Sequence, residues 1–161
     1  MSPQQKAGSY EWYEIQDNVA YWQEFEKSKI VWGNLATSPQ FALAPVNSYV
    51  CAPANLIVSE NNNYLLAILN SKAAQYVISQ NAALRQGGFL EFKPIYVSQV
   101  TIPAATESQR TAMEKLVQKC LDAKKGDPKA DTNELEQAIN ALVYQLYGLT
   151  EEEIKIVEGE R

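Results

Sequence analysis

Residues 64–103 read YLLAILNSKAAQYVISQNAALRQGGFLEFKPIYVSQVTIP, and their reading decides what kind of fold the chain makes. The stretch opens as an apolar helix and closes as a strand-like run stopped by Pro103. Leu65, Leu66, Leu69, Ala73, Tyr76 and Val77 recur at spacings of three and four, so a helix is expected over 64–80, with Asn61-Asn62-Asn63 offering its N-cap. Lys72 falls near the edge of that apolar face. A polar loop over 81–88 carries Arg85-Gln86 before Gly87-Gly88. Phe89-Leu90-Glu91-Phe92 alternates like a strand, Pro94 interrupts it, and residues 97–102 resume an extended run.

On the N-terminal side lie short apolar runs separated by turn residues. Lys29-Ile30-Val31-Trp32, Phe41-Ala42-Leu43, Tyr49-Val50-Cys51 and Leu56-Ile57-Val58 read as four strands of a small antiparallel sheet or partial barrel. Before them, residues 1–8 read as flexible and residues 10–23 as an aromatic-rich helix or irregular segment. On the C-terminal side the pattern is helical. A helix starting at Thr106 or Glu107 carries Met113, Leu116, Val117, Cys120 and Leu121 and ends at Gly126-Asp127-Pro128. Asp131 or Thr132 caps the next, with Glu134 or Glu136 placed for a capping box and Gly148 as its C′ residue. Thr150 and Glu153 form a second capping box for a short last helix. The two stripes joined by a short loop imply an antiparallel helical hairpin, packed within the molecule or serving as a spacer or dimer contact. The expected class is therefore α+β: a small mostly antiparallel sheet or partial barrel with a packed helix, then a helical hairpin and a short last helix. The expected division is 1–103 and 104–161.

Composition narrows the chemistry. The 161 residues are 46% hydrophobic and 20% charged, as in an ordinary globular domain. There is no histidine, so Ser-His-Asp and Cys-His catalysis and HExxH metal sites cannot be assembled from this chain alone. Neither a GxGxxG nor a Walker A loop occurs, and Gly87-Gly88 precedes a strand rather than a helix. Cys51 and Cys120 have no metal-ligand spacing and read as small buried apolar residues. No run has the ~18 apolar residues of a membrane span, and residues 1–15 carry no secretory leader pattern, so a cytoplasmic protein is expected. The net charge of −5 is unevenly spread: residues 1–100 hold 6 basic and 7 acidic residues, and residues 101–161 hold 8 and 12. A local basic face is thus compatible with the first hundred residues.

Three motifs in order carry a resemblance: LLAILNS (65–71), GGFLEFKPIYVSQVTIP (87–103) and LVYQLYGLTEEEIKIVE (142–158). With KIVWGN (29–34) as an opening strand, residues 12–158 resemble the TaqI-like C-terminal specificity domain, the target recognition domain of type IIG restriction-modification enzymes and related adenine-N6 DNA methyltransferases. The order of helix, variable loop, strand ending in IP and long helix (TIPAATESQRTAMEKLV) is also similar to type I specificity subunits. The resemblance implies a DNA-reading module, not a catalyst: the C-terminal piece of a longer enzyme whose N-terminal methyltransferase domain binds S-adenosylmethionine and bears an NPPY-type motif, absent here. No cofactor is expected in this piece. Its partners would be double-stranded DNA and that N-terminal domain, and oligomeric state is left open. Candidate DNA contacts are Lys27, Lys29, Lys72, Arg85, Gln86 and Lys93, then Asn61, Asn62, Asn63 and Gln80. These residue types contact phosphates or read base edges. The alternative is a protein-interaction or structural module using the acidic helical hairpin.

Overall fold

The computed structural model describes residues 20–160; the expectations for residues 1–8 and most of 10–23 fall outside them. After a 3-10 turn at Trp22–Glu26, the chain forms β1 (Lys29–Trp32), β2 (Leu35–Ala36), β3 (Ala42–Ala44) and β4 (Asn55–Val58). It continues through α1 (Asn62–Asn70), α2 (Lys72–Asn81), β5 (Leu84–Arg85), β6 (Phe89–Glu91) and α3 (Pro94–Val97). The helices α4 (Glu107–Gly126), α5 (Asn133–Tyr147) and α6 (Glu151–Glu158) complete it. The α+β class holds, with two three-stranded antiparallel sheets, β3-β1-β4 and β2-β6-β5, in place of a single sheet.

β1 is central, with Lys29, Ile30 and Trp32 buried and Val31 half-buried, which is why its run from Ile30 to Trp32 is apolar without alternation. Ile30 and Trp32 face the core with Phe41 and Phe92. Trp32 and Phe41 lie with ring centroids 5.3 Å apart, and Phe92 meets Phe41 edge-on. The indole N–H of Trp32 donates to the Phe92 carbonyl at 2.6 Å, and the Phe92 N–H donates to the Asn34 carbonyl at 2.8 Å. These bonds tie the end of the first sheet to the root of the second.

No strand forms at 49–51. The backbone there is spent on turns, Ser48 N–H to the Pro45 carbonyl and Ala54 N–H to the Cys51 carbonyl, so β4 pairs directly with β1. Tyr49 is exposed and stacks on Phe25 at 5.2 Å. Cys51 is exposed too, against the expectation of burial, and Cys120 is half-buried.

The helix expected over 64–80 is two helices broken at Ser71. The apolar stripe crosses the break and hides it. Asn70 and Ser71 are the cause, since both side chains compete for backbone groups. Asn70 takes the Phe41 N–H on its Oδ1 and donates its Nδ2 to the Phe41 carbonyl, both at 3.0 Å. The Ser71 hydroxyl donates to the Ile68 carbonyl at 2.7 Å and accepts from the Ala74 N–H at 3.2 Å, ending one helix and capping the next. The break redirects the buried face to Ala73, Ala74 and Ile78 and leaves Tyr76 exposed.

Two further expectations change downstream. The polar loop of 81–88 is largely structured, with Asn81 ending α2 and Leu84–Arg85 pairing with β6. Pro94 starts a helical turn as its first residue, where its missing N–H costs nothing, and the chain is extended only beyond Val100. That extended piece has no ladder and is held by two phenols: Tyr64 donates to the Pro103 carbonyl at 2.7 Å and Tyr147 to the Thr101 carbonyl at 2.6 Å.

The capping box at Thr150–Glu153 forms as expected, Thr106 starts α4 and adds a capping box with Gln109 beyond those expected, and Gly148 ends α5 at φ +67°. The capping box expected at α5 does not form: Thr132 instead donates its hydroxyl to Glu136 at 2.6 Å, four residues on. α4 and α5 pack on each other as a hairpin and also against α1. Met113, Val117, Ile139 and Val143 therefore join Ile30, Ile68, Leu69 and Phe92 in one core.

Candidate nucleic-acid interface

The β5–β6 hairpin builds the site. Arg85 and Phe89 are partners across the strands, and the turn between them closes with the Gly88 N–H on the Arg85 carbonyl at 3.2 Å. Gly87 and Gly88 have φ of +81° and +79°, a conformation that L side chains adopt only with strain. The ring of Phe89 lies against Gly87, where a Cβ would sit 3.4 Å from it.

Register sorts the side chains into faces, since directly opposed residues share one. Leu90 and Ala36 are partners and turn inward, both buried. Arg85 and Phe89 are partners, as are Leu35 and Glu91, and all four turn outward. Leu35 and Phe89 are exposed there, while Glu91 is buried by the cations above it. Arg85 donates from Nε to Oε1 of Glu91 at 2.8 Å, and its Nη2 donates to the same oxygen. Lys93 Nζ lies 2.9 Å from Oε2. Hydrogen bonds from Lys93 and Arg85 hold the Glu91 carboxyl below the usual carboxylate range. Two cations on one carboxylate leave the hairpin with a positive charge to spare.

Of the candidate residues, the structure brings Arg85, Gln86 and Lys93 together on this hairpin, with Gln86 exposed at the turn. Gln80 is exposed in the last turn of α2. The others sit elsewhere. Lys27 is exposed and paired with Glu24 at 2.8 Å. Asn62 donates to the Ser28 hydroxyl at 3.2 Å, and Asn63 is half-buried beside it. Asn61 accepts from Arg110 at 2.8 Å, which sets the guanidinium over the Tyr64 ring and fastens α4 to α1. Lys72 is exposed at the start of α2, on a cleft of about 430 Å³ shared with Lys124, Glu136 and Asn140.

Lys29 is the clearest departure from a DNA-contacting expectation. It is fully buried, and its ammonium donates to the carbonyls of Phe25 at 2.9 Å and Pro45 at 3.2 Å. A buried cation needs such acceptors, and in this position it is closed to solvent. Sequence reading also passed over Glu91. Its signal was present as an acid between two apolar neighbours, with a lysine two residues on.

The double glycine closes a hairpin under a phenyl ring and opens no helix. Among the described residues, no group of three or more His, Cys, Asp or Glu is arranged to hold a metal ion, and no helix is long and apolar enough to cross a membrane.

Fold and site together define a small α+β module that displays cationic, amide and apolar side chains on a hairpin. The chain belongs to the family of the TaqI-like C-terminal specificity domain, whose model matches residues 3–103. DNA target recognition in restriction-modification systems is the function of that family. The match stops at 103, so the YGLTEEE motif of the tail lies outside it. No curated protein matches the chain.

Proposed function

We propose that this chain reads one DNA sequence in duplex form and delivers it to an adenine-N6 methyltransferase domain, with the β5–β6 hairpin entering the major groove. Family membership over residues 3–103 is the observation that carries this reading, and the hairpin supports it with an exposed arginine, lysine and glutamine. Phosphate contacts from Lys93, Lys27 and Lys72 would set register, and Arg85 with Gln86 would read base edges. S-adenosylmethionine and the transferred methyl group belong to the partner domain, which would hold the flipped adenine. Residues 104–161, the more acidic part, would dock against that domain.

The test is selection from a randomised duplex pool by the full-length protein, followed by methylation of the enriched duplex. Enrichment of one sequence, with methyl transfer to an adenine inside it, is expected. A pool that emerges unchanged removes the DNA-reading function and favours a protein-docking role for the acidic helices. On the enriched duplex, Lys72→Ala should weaken binding to all sequences alike and reduce the salt slope by about one.

A further inference from the structure

The outward face of the β5–β6 hairpin holds an arrangement that exceeds simple display of a cation. Glu91 has a side chain only 7% accessible, yet it lies under Arg85 and Lys93 at 57% and 48%. Both carboxylate oxygens are engaged, Oε2 by Lys93 and Oε1 by Arg85 alone. The arginine uses Nε and Nη2 for this. A guanidinium carries five N–H donors in one plane, so gripping it by the Nε edge leaves the far end, Nη1 with the outer hydrogen of Nη2, as a free parallel pair. That pair matches the O6 and N7 acceptors of guanine. Adenine offers a donor at the position of O6 and breaks the match.

We propose that Glu91 is a positioning residue that fixes Arg85 in a single end-on pose, making Arg85 a guanine reader before DNA arrives. The proposal rests on the DNA-reading function above and adds to it the base read and the device that selects it. An exposed arginine on a turn would otherwise lose its rotamer freedom on binding; here Glu91 has already taken most of it. The hairpin strengthens the device. Phe89, opposite Arg85, packs on Gly87, and Leu35, opposite Glu91, flanks the carboxylate. Lys93 occupies the second oxygen, so the carboxylate cannot rotate to release the arginine without losing a partner.

The experiment measures equilibrium binding of full-length protein to its selected duplex and to versions carrying each base at each position. The wild type is expected to prefer guanine at one position by roughly 5- to 150-fold. Arg85→Lys keeps the charge and loses the parallel pair, so the ratio at that position should collapse while ratios elsewhere persist. Glu91→Gln should lower the ratio at the same position, with melting temperature and the other ratios kept. A purely structural Glu91 would lower all affinities together with the melting temperature, and that result overturns the proposal. Unchanged ratios in both variants also overturn it, while sequence selection by the wild type would leave the DNA-reading function standing. Loss of all selection by the wild type would instead remove that function itself. Should Glu91→Gln fail to fold, exposed Arg85→Lys decides alone: an unchanged guanine ratio is the overturning result.

Discussion

Asn70 shows how one amide can organise two elements. Its side chain completes a two-way hydrogen bond with the backbone of Phe41, 29 residues away, and it also caps the Leu66 carbonyl. Phe41 is a buried member of the aromatic cluster, so its backbone groups have little access to water. Asn70→Ala leaves both unpaired and should destabilise the protein by about 1–2 kcal/mol. Urea unfolding would show this as a lower midpoint at unchanged slope. Ser71 beside it acts at still shorter range, by spending its hydroxyl on both helices at once. These two residues explain why LNS matters, which the motif alone does not. Periodicity registers apolar spacing, and Asn-Ser interrupts the helix without interrupting that spacing. Lys29 misleads for the opposite reason. A lysine at the edge of a strand reads as a surface charge, and only the carbonyls of Phe25 and Pro45, distant in the chain or turned by the 3-10 segment, make its burial tolerable.

At the level of elements, the hairpin depends on its glycines. Gly87→Ala would place a Cβ at φ +81° and against the Phe89 ring, at a cost of about 1–2 kcal/mol. For a chain of this size the expected fall in melting temperature is about 2–4 °C per kcal/mol. Amide exchange should rise first at Gly88, whose N–H closes the turn. The sheet and the long helices were legible from the sequence because their signals are local: alternation in β6, capping residues at α4 and α6, and stripes of three and four in α4 and α5. β2 and β5 were not, because two residues carry no period, and each exists only by pairing with β6. The third strand expected at 49–51 fails for a related reason. Its β-type composition finds no place beside β1, whose two sides are already taken by β3 and β4. For the candidate site, Arg85, Gln86 and Lys93 were legible as residue types near a double glycine. Their convergence on Glu91 was not, because cross-strand register is set by pairing that the sequence does not print.

At the scale of the whole molecule, the described residues share one core, and it extends past the family match. Met113 and Val143 are fully buried, and Val117 nearly so, in the core that α4 and α5 share with α1. A chain ending at residue 103 would expose that surface. It should lack a cooperative thermal transition and show a broad, poorly dispersed amide spectrum, whereas the 161-residue chain should melt in one step. The same seam responds to alkali. Burial raises the pKa of Tyr64, of Tyr144 and of Tyr147, the last to about 12. Their neutral hydroxyls donate to the Pro103 carbonyl, Glu158 and the Thr101 carbonyl. In the unfolded chain each titrates near 10. Their contribution to stability is therefore complete below pH ~10 and is lost as pH rises through the higher folded values. Melting temperatures measured from pH 8 to 11.5 should be level at first and fall beyond pH ~10. Tyr147→Phe should be less stable at pH 8 and fall less steeply.

The indole bond from Trp32 to the Phe92 carbonyl has a consequence for how such a module can change its target. It anchors the hairpin one residue beyond Glu91, on the wall of the core, while the turn residues 86–88 lie beyond the ladder and have no share in that anchor. Root and tip are mechanically separate. For the DNA-reading role proposed here, the turn is then an exchangeable cartridge: new side chains at 86 can be tried in a fixed socket, whereas a change at 85 has to be matched at Glu91, which holds Arg85.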